Sequence, residues 1–293
     1  MVIVLTEPQN IASANKVPGS MAQVGVTMKY TFLDYFRSRR FAILLAISLL
    51  ISVLLTAVVG YYRPASFLTT DLGFYSSWWG MTATFVVILS GIFFGGDAIA
   101  GEFQNKTGYF TLPNPIRRSS VYIGKWISAF IAASIVLFIF MAITVANEAL
   151  YYPLSIPWQF AESFLFAWFY LMAVLGFTFF FSSLFKSTSY SILVTAILFL
   201  FAFTLIQTLI AALAQIEPWF ILTYGSEIIG NVLASPYPAH VTQAAGFGGR
   251  GGAAAPTFTT FNATIPEGLM IIAVYFLVTA ALGLILFERK EFN

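Results

Sequence analysis

The side chains able to do chemistry in this chain are few, and they do not gather. His240 is the single histidine, and no carboxylate cluster accompanies it in sequence. General acid–base work needs a positioned partner within hydrogen-bond reach, so His240 reads as a solvated loop residue. Ser182, Ser183 and Ser187 lie close together but have no base to activate them. Cysteine is absent, which excludes disulfides, thiolate metal sites and a thiol nucleophile. Phosphate binding of the P-loop kind is excluded as well. Gly124–Lys125 is followed by Trp126 and lacks the first glycine of that motif. No catalytic, cofactor-binding or metal-binding residue is expected on this chain, and no nucleic-acid partner.

The elements that carry these residues are apolar. Hydrophobic residues make up 59% of the chain and charged residues 9%, with a mean hydropathy of +0.86. Soluble domains carry about 25% charged residues, so lipid must cover much of this surface. A bilayer core about 30 Å thick needs roughly 20 apolar residues per helix. Six runs meet that need: Phe41–Tyr61, Trp78–Gly95, Trp126–Val145, Glu162–Phe185, Tyr190–Leu213 and Gly268–Phe287. The expected fold is an all-α integral membrane protein with six transmembrane helices over 23–293. Residues 1–22 are too polar for a signal peptide and read as a flexible cytoplasmic tail.

Orientation follows from the basic residues. With the N-terminus inside, Lys16, Lys29, Arg37, Arg39, Arg40, Lys106, Arg117, Arg118, Lys125, Lys186, Arg289 and Lys290 are cytoplasmic, leaving Arg63 and Arg250 outside. The acidic residues divide evenly, so the bias is one of positive charge. Both termini are therefore placed in the cytoplasm and the protein in the cell membrane. Tyr61, Tyr62, Trp78, Trp79, Tyr151, Tyr152 and Trp158 form the expected aromatic belt at the outer boundary. Arg37, Arg39, Arg40, Arg117 and Arg118 are expected to anchor the inner membrane surface.

Mid-membrane charge usually marks an ion path or proton relay, and none of the six runs has an ionisable residue near its middle. Glu148 and Glu162 sit at outer ends, and Gln207 is the most polar side chain at depth. An ion-coupled carrier is disfavoured on that ground. Gly91 and Gly95 form a GxxxG pair suited to close helix approach, read here as internal packing in preference to a dimer seam.

Two further segments flank the spans. Residues 23–40 put Val24, Met28, Phe32, Tyr35 and Phe36 on one helical face, with Arg39 interrupting it. This suits an interfacial helix in the inner headgroup layer; a cytoplasmic extension of the first span is the alternative. The outer loop, 215–267, begins with the apolar stretch Pro218–Leu233, expected as a helix resting on the outer leaflet. It continues as a Gly/Ala linker with no fold of its own. Asn262 heads a glycosylation sequon in this loop, and Asn105 heads another on the opposite side.

The inner loop 96–125 reads GDAIAGEFQNKTGYFTLPNPIRRSSVYIGK. Acids at its start and Lys106 near its end suit a short helix over 97–107, with Ile99, Phe103 and Lys106 along one edge. Gly108 can stop that helix, and Pro113–Asn114–Pro115 keeps the next stretch extended. The pattern D-x-I-A-x-E, then Thr, then P-I-x-R and G-K is met by Asp97, Ile99, Ala100, Glu102, Thr107, Pro115, Ile116, Arg117, Gly124 and Lys125. It resembles the type-2 family of ABC-transporter permeases. The stretch Tyr35–Phe41 and the six-run layout are similar to that family too, so the resemblance covers essentially the whole chain. Gln104 stands where the family commonly has a second acid, and Lys106 where it usually has Gly.

The resemblance implies a transmembrane permease subunit of an ATP-driven transporter. Two such subunits would pair, each docking an ABC ATP-binding subunit that holds ATP and Mg. Residues 97–107 would be the coupling helix, with Asp97, Ile99, Glu102, Phe103 and Thr107 as its coupling residues, and 23–40 the elbow helix. Membrane lipids would surround the bundle. The apolar, Phe-rich spans suit export of a hydrophobic or amphipathic substrate. Two other classes compete: a membrane scaffold recruiting a soluble complex through the same loop, and a membrane-embedded lipid enzyme. ATPase stimulation separates the scaffold, and the enzyme would need a clustered catalytic set that the sequence does not offer.

Overall fold

The computed structural model describes residues 19–106, 116–153, 155–244 and 257–290. Six helices among them are long and apolar enough to cross a membrane: Arg39–Tyr62, Asp71–Gln104, Arg118–Glu148, Trp158–Leu184, Thr188–Ala214 and Ile265–Arg289. They are numbered here as the first to sixth spans. Each expected run falls within one of them, to a residue at the end of the fourth. The chain is an all-α membrane protein apart from one small hairpin. In that hairpin Val241–Ala244 pairs antiparallel with Thr257–Thr260. The Gly/Ala linker that joins its strands, with Arg250, lies outside the described residues.

The second and fourth spans form the core. Windows within them are 72% and 61% buried, against 6% for the fifth span. Close approach of these two helices is made possible by glycine. A Cβ added to Gly91 would stand 2.3 Å from Val174, and one on Gly95 would stand 2.0 Å from Thr178. The GxxxG pair is therefore internal packing. Hydroxyls in the spans are satisfied mostly on the helix itself: Ser48, Ser52, Ser90, Thr144 and Thr195 each donate to the carbonyl four residues back.

The outer end is held by aromatic stacking. Trp79 stacks on Phe140 with centroids 5.8 Å apart, and Tyr75 stacks on Phe160 at 4.1 Å. Trp78 and Trp79 are fully buried, which corrects their assignment to the membrane belt. Tyr61, Tyr62 and Trp158 do remain exposed. The Trp79 indole N–H donates to Ser163, whose hydroxyl in turn donates to the Ile229 carbonyl. This places the outer loop on the bundle.

Pro218–Leu233 is not one helix on the outer leaflet. It forms two short helices, Leu222–Gly225 and Ile228–Asn231, whose apolar side chains turn inward. Ile221, Leu222, Ile228, Ile229, Val232 and Leu233 are all buried. Glycine again permits this: a Cβ on Gly268 of the sixth span would meet Ile228 at 2.4 Å and the Gly225 carbonyl at 2.9 Å. Two faces that would both satisfy lipid satisfy each other.

At the inner end, Ser20–Arg37 forms a helix that breaks at Ser38, where ψ is 147°. The Ser38 hydroxyl accepts from the Phe41 N–H and starts the first span. The third span is 31 residues long, or roughly 46 Å at about 1.5 Å per residue. It exceeds the hydrocarbon thickness, and the N-terminal helix packs along its inner end. Ser128 donates to the Met28 carbonyl at 2.8 Å, and the Arg117 N–H donates to Gln23 at 3.0 Å. Of the apolar face expected to meet lipid, Tyr35 is buried, Val24, Met28 and Phe32 are half-buried and Phe36 is exposed; Val26, Tyr30 and Leu33, outside that face, are exposed as well. The helix is apolar on two sides, which is why its pattern looks imperfect in sequence.

Candidate functional site

The site is built at the inner end of the second span. That span stops at Gly95, turns through 96–99, and resumes as a short helix, Ala100–Gln104. Gly96 allows the turn: a Cβ there would lie 2.7 Å from the Ile92 carbonyl. The short helix ends before Gly108, because Lys106 adopts a left-handed backbone with φ of 57°. Thr107, Gly108 and Pro113–Pro115 lie outside the described residues.

Five separate contacts fix the segment 97–104. Asp97 pairs with Arg40 at the start of the first span, and Glu102 pairs with Lys125 in the third. The Ile99 and Ala100 N–H groups both donate to Ser182 Oγ of the fourth span, at 2.9 Å each. These two donors belong to a helix start, where the N–H groups have no partner within the helix. Thr188, opening the fifth span, donates its N–H and its hydroxyl to Gln104 Oε1, both at 2.7 Å. Phe103 packs edge-on against Phe287 of the sixth span, with Lys290 Nζ 4.2 Å from its ring centre. One short segment thus touches every other span.

Lys290 also caps the fourth span. Its ammonium donates to the Ser183 and Phe185 carbonyls at 2.8 and 2.7 Å, a favourable place for a cation. Burial and then the nearby Lys186 push its pKa down to about 8. Arg118 donates to the carbonyls of Glu288 and Lys290. Of the five arginines expected at the membrane surface, Arg37, Arg39 and Arg117 are exposed, whereas Arg40 and Arg118 make these internal contacts.

The candidate coupling residues therefore divide. Ile99 is fully buried, and Glu102 and Phe103 are half-buried and engaged with neighbours. The exposed rim is Gln104, Asn105 and Lys106. Beside it lies an open groove of about 600 Å³, lined by Tyr30, Asp34 and Arg39 on one side and Asp97, Glu102 and Lys125 on the other. Sequence reasoning passed over Ser182, Thr188 and Lys290. Two of them are short hydroxyl residues, silent in hydropathy, and nothing in their spacing points across the bundle. No group of His, Asp and Glu able to hold a metal ion occurs among the described residues.

A family model described as "ABC-2 family transporter protein" matches residues 27–292. The chain belongs to the ABC-2 transporter family. No individual curated protein matches it. As an ABC-2 protein it is a membrane-spanning permease component of an ABC transporter, and this family works with ABC ATP-binding subunits. The geometry gives physical content to the Gly124–Lys125 pair. Gly124 lets the N-terminal helix approach the third span, since a Cβ there would lie 2.8 Å from Thr27 and 3.0 Å from the Val24 carbonyl. Lys125 then reaches Glu102 and, at 2.9 Å, the Ala98 carbonyl. Gly124→Leu should force the N-terminal helix off, at a cost of about 1–3 kcal/mol typical of overpacking. Hydrogen exchange should quicken in 20–37 and stay unchanged in the core spans; unchanged exchange in 20–37 would refute this packing role.

Proposed function

We infer that this permease is one membrane half of an ATP-driven exporter of hydrophobic or amphipathic cargo, with ATP hydrolysed by a separate subunit. The observation that carries the reading is the segment 97–104, which touches all five other spans while leaving Gln104–Lys106 exposed. A push on the rim reaches the whole bundle through ion pairs and hydrogen bonds. Packed cores switch between discrete arrangements and do not deform continuously, so such a push favours tilting of whole spans. The Asp97–Thr107 region is accordingly the ATPase-facing element, with Glu102 and Asp97 as transmitting residues and the rim as the docking surface.

Cytoplasmic termini follow from the distribution of Lys and Arg, and the cell membrane is the assigned location. The first, fifth and sixth spans are only 22%, 6% and 22% buried, which leaves ample surface for a second permease subunit and for lipid. Cargo would pass between two such subunits. The absence of ionisable residues near mid-span supports an apolar or amphipathic cargo.

Affinity purification of the chain from native membranes should recover an ABC ATP-binding subunit with it. The double change Asn105→Trp and Lys106→Glu alters only the exposed rim, and recovery of that subunit should fall at least tenfold with insertion unaffected. Undiminished recovery would remove the docking surface. ATP hydrolysis by the isolated chain would overturn the division of labour between subunits.

A further inference from the structure

Two helix irregularities, one in the second span and one in the fifth, border the same outer cleft. The second span contains a π-turn at Ser76–Gly80, and the fifth contains two, Leu198–Ala202 and Ile210–Ala214. Single π-turns cost hydrogen-bond geometry and are frequent at functional sites. Gly80 and Phe199, from two of these turns, line a cleft of about 390 Å³ between the second span, the fifth span and the outer loop. Close backbone approach of Gly80 and Gly230 shapes the floor, where a Cβ on Gly80 would lie 3.4 Å from Gly230 Cα.

The cleft is polar on one wall. Gln207, in the outer part of the fifth span, donates to Glu227 Oε1 and accepts from the Thr223 hydroxyl at 3.0 Å. The Ala263 N–H reaches Glu227 Oε2 at 3.5 Å. Ile88 and Phe199 supply the apolar wall. Glu227 is the one charged residue of the lining, which includes no Lys, Arg or His. A partly buried carboxylate held only by neutral donors is costly, and a cationic ligand would offset that cost. The span ends and loop at this end also carry Asp71, Glu148, Glu162, Glu217 and Glu267 against Arg63 among the described residues, which draws cations toward it.

We propose that this cleft binds the ammonium head of an amphipathic amine, with Glu227 as its counter-ion, Gln207 orienting that carboxylate, and the tail along Ile88 and Phe199. The proposal rests on the transport reading above, because it names the cargo class that leaves through the outer half. Burial pushes the Glu227 carboxyl up to about 7, partly offset by the Ala263 and Gln207 hydrogen bonds. The other titratable groups around it are Tyr224 and Tyr237, both raised chiefly by burial, with Glu267, Glu217 and His240, the last 3.7 Å from Glu217. The ionised form binds the amine, so affinity is high above pH 7 and declines as pH falls through it.

The test is direct binding of radiolabelled dodecylamine to the full chain in neutral-lipid nanodiscs, with dodecanol as the uncharged probe. Wild type should bind the amine saturably and not the alcohol. Glu227→Gln should weaken amine binding at least tenfold and flatten its pH profile between pH 6 and 8, about one unit either side of 7. Thr204→Phe, at the exposed mouth, should weaken it without touching the carboxylate, which covers the case of a misfolded Glu227 variant. Non-saturable amine uptake by wild type, or unchanged affinity and pH profile in Glu227→Gln, overturns the proposal. ATPase recovery and stimulation are measured on the same preparations. If they persist while amine binding fails, the cargo assignment falls and the permease reading stands; if they are absent, the permease reading falls.

Discussion

Glu102→Ala is expected to lower cargo moved per ATP hydrolysed at least tenfold while the permease still inserts and still binds its ATPase. The carboxylate is not part of the exposed rim. It pairs with Lys125, and the two side chains are only 19% and 14% exposed. Exposed pairs contribute about 0–1 kcal/mol, whereas breaking a fully buried pair costs about 3–5 kcal/mol. A part-buried pair lies between, at about 2 kcal/mol, enough to loosen one linkage without unfolding six spans. Lys125 retains its bond to the Ala98 carbonyl, so the third span is not abandoned outright. Reconstituted transport and ATPase rates, taken together, give the ratio. The swap Glu102→Lys with Lys125→Glu should recover part of the coupling, because the attraction is restored with reversed sign. Full transport in Glu102→Ala would refute the transmitting role.

An all-or-none result is expected for sidedness. The chain contains no cysteine, so single cysteines report without a background. Asn105 and Ser155 are both exposed, at opposite ends of the bundle. In intact cells an impermeant maleimide should label Ser155→Cys and leave Asn105→Cys untouched until the membrane is opened. The glycosylation sequons give the same answer in a host that uses them: Asn262 is eligible and Asn105 is not. The Asn262 amide donates to the Ala239 carbonyl at 2.8 Å, so a glycan there would have to be attached before the loop closes. Labelling of Asn105→Cys in intact cells would invert the topology and detach the rim from any cytoplasmic partner.

Phe103 does not lie on the exposed rim. As a coupling residue, Phe103 would be a natural place to put an unpaired charge. In the folded chain the ring lies between Phe287 and the Lys290 ammonium, so an aspartate at 103 would gain a counter-ion. Substitution of Asn105 and Lys106 probes the exposed surface instead.

The sequence by itself determined how many helices are long and apolar enough to cross the bilayer, the apolar centre of each, and which family the chain belongs to. Hydrocarbon admits only structures whose backbone is internally satisfied, helices or closed barrels, and a helical crossing needs about 20 apolar residues, which are written openly in the chain. The motif around Asp97–Glu102 and Gly124–Lys125 is equally local. Tertiary structure alone decided which way each helix faces. Lipid and protein interior are alike in polarity, so an apolar side chain gives no sign of which it meets. Trp78 and Trp79 therefore read as belt residues and are core, and Pro218–Leu233 reads as lipid-facing and is sandwiched between spans. For the same reason the partners of polar side chains stayed hidden. Ser182 beneath Ile99 and Ala100, Lys125 against Glu102, and Gln207 against Glu227 join residues 20 to 83 positions apart, and only the packing of the spans brings them within reach.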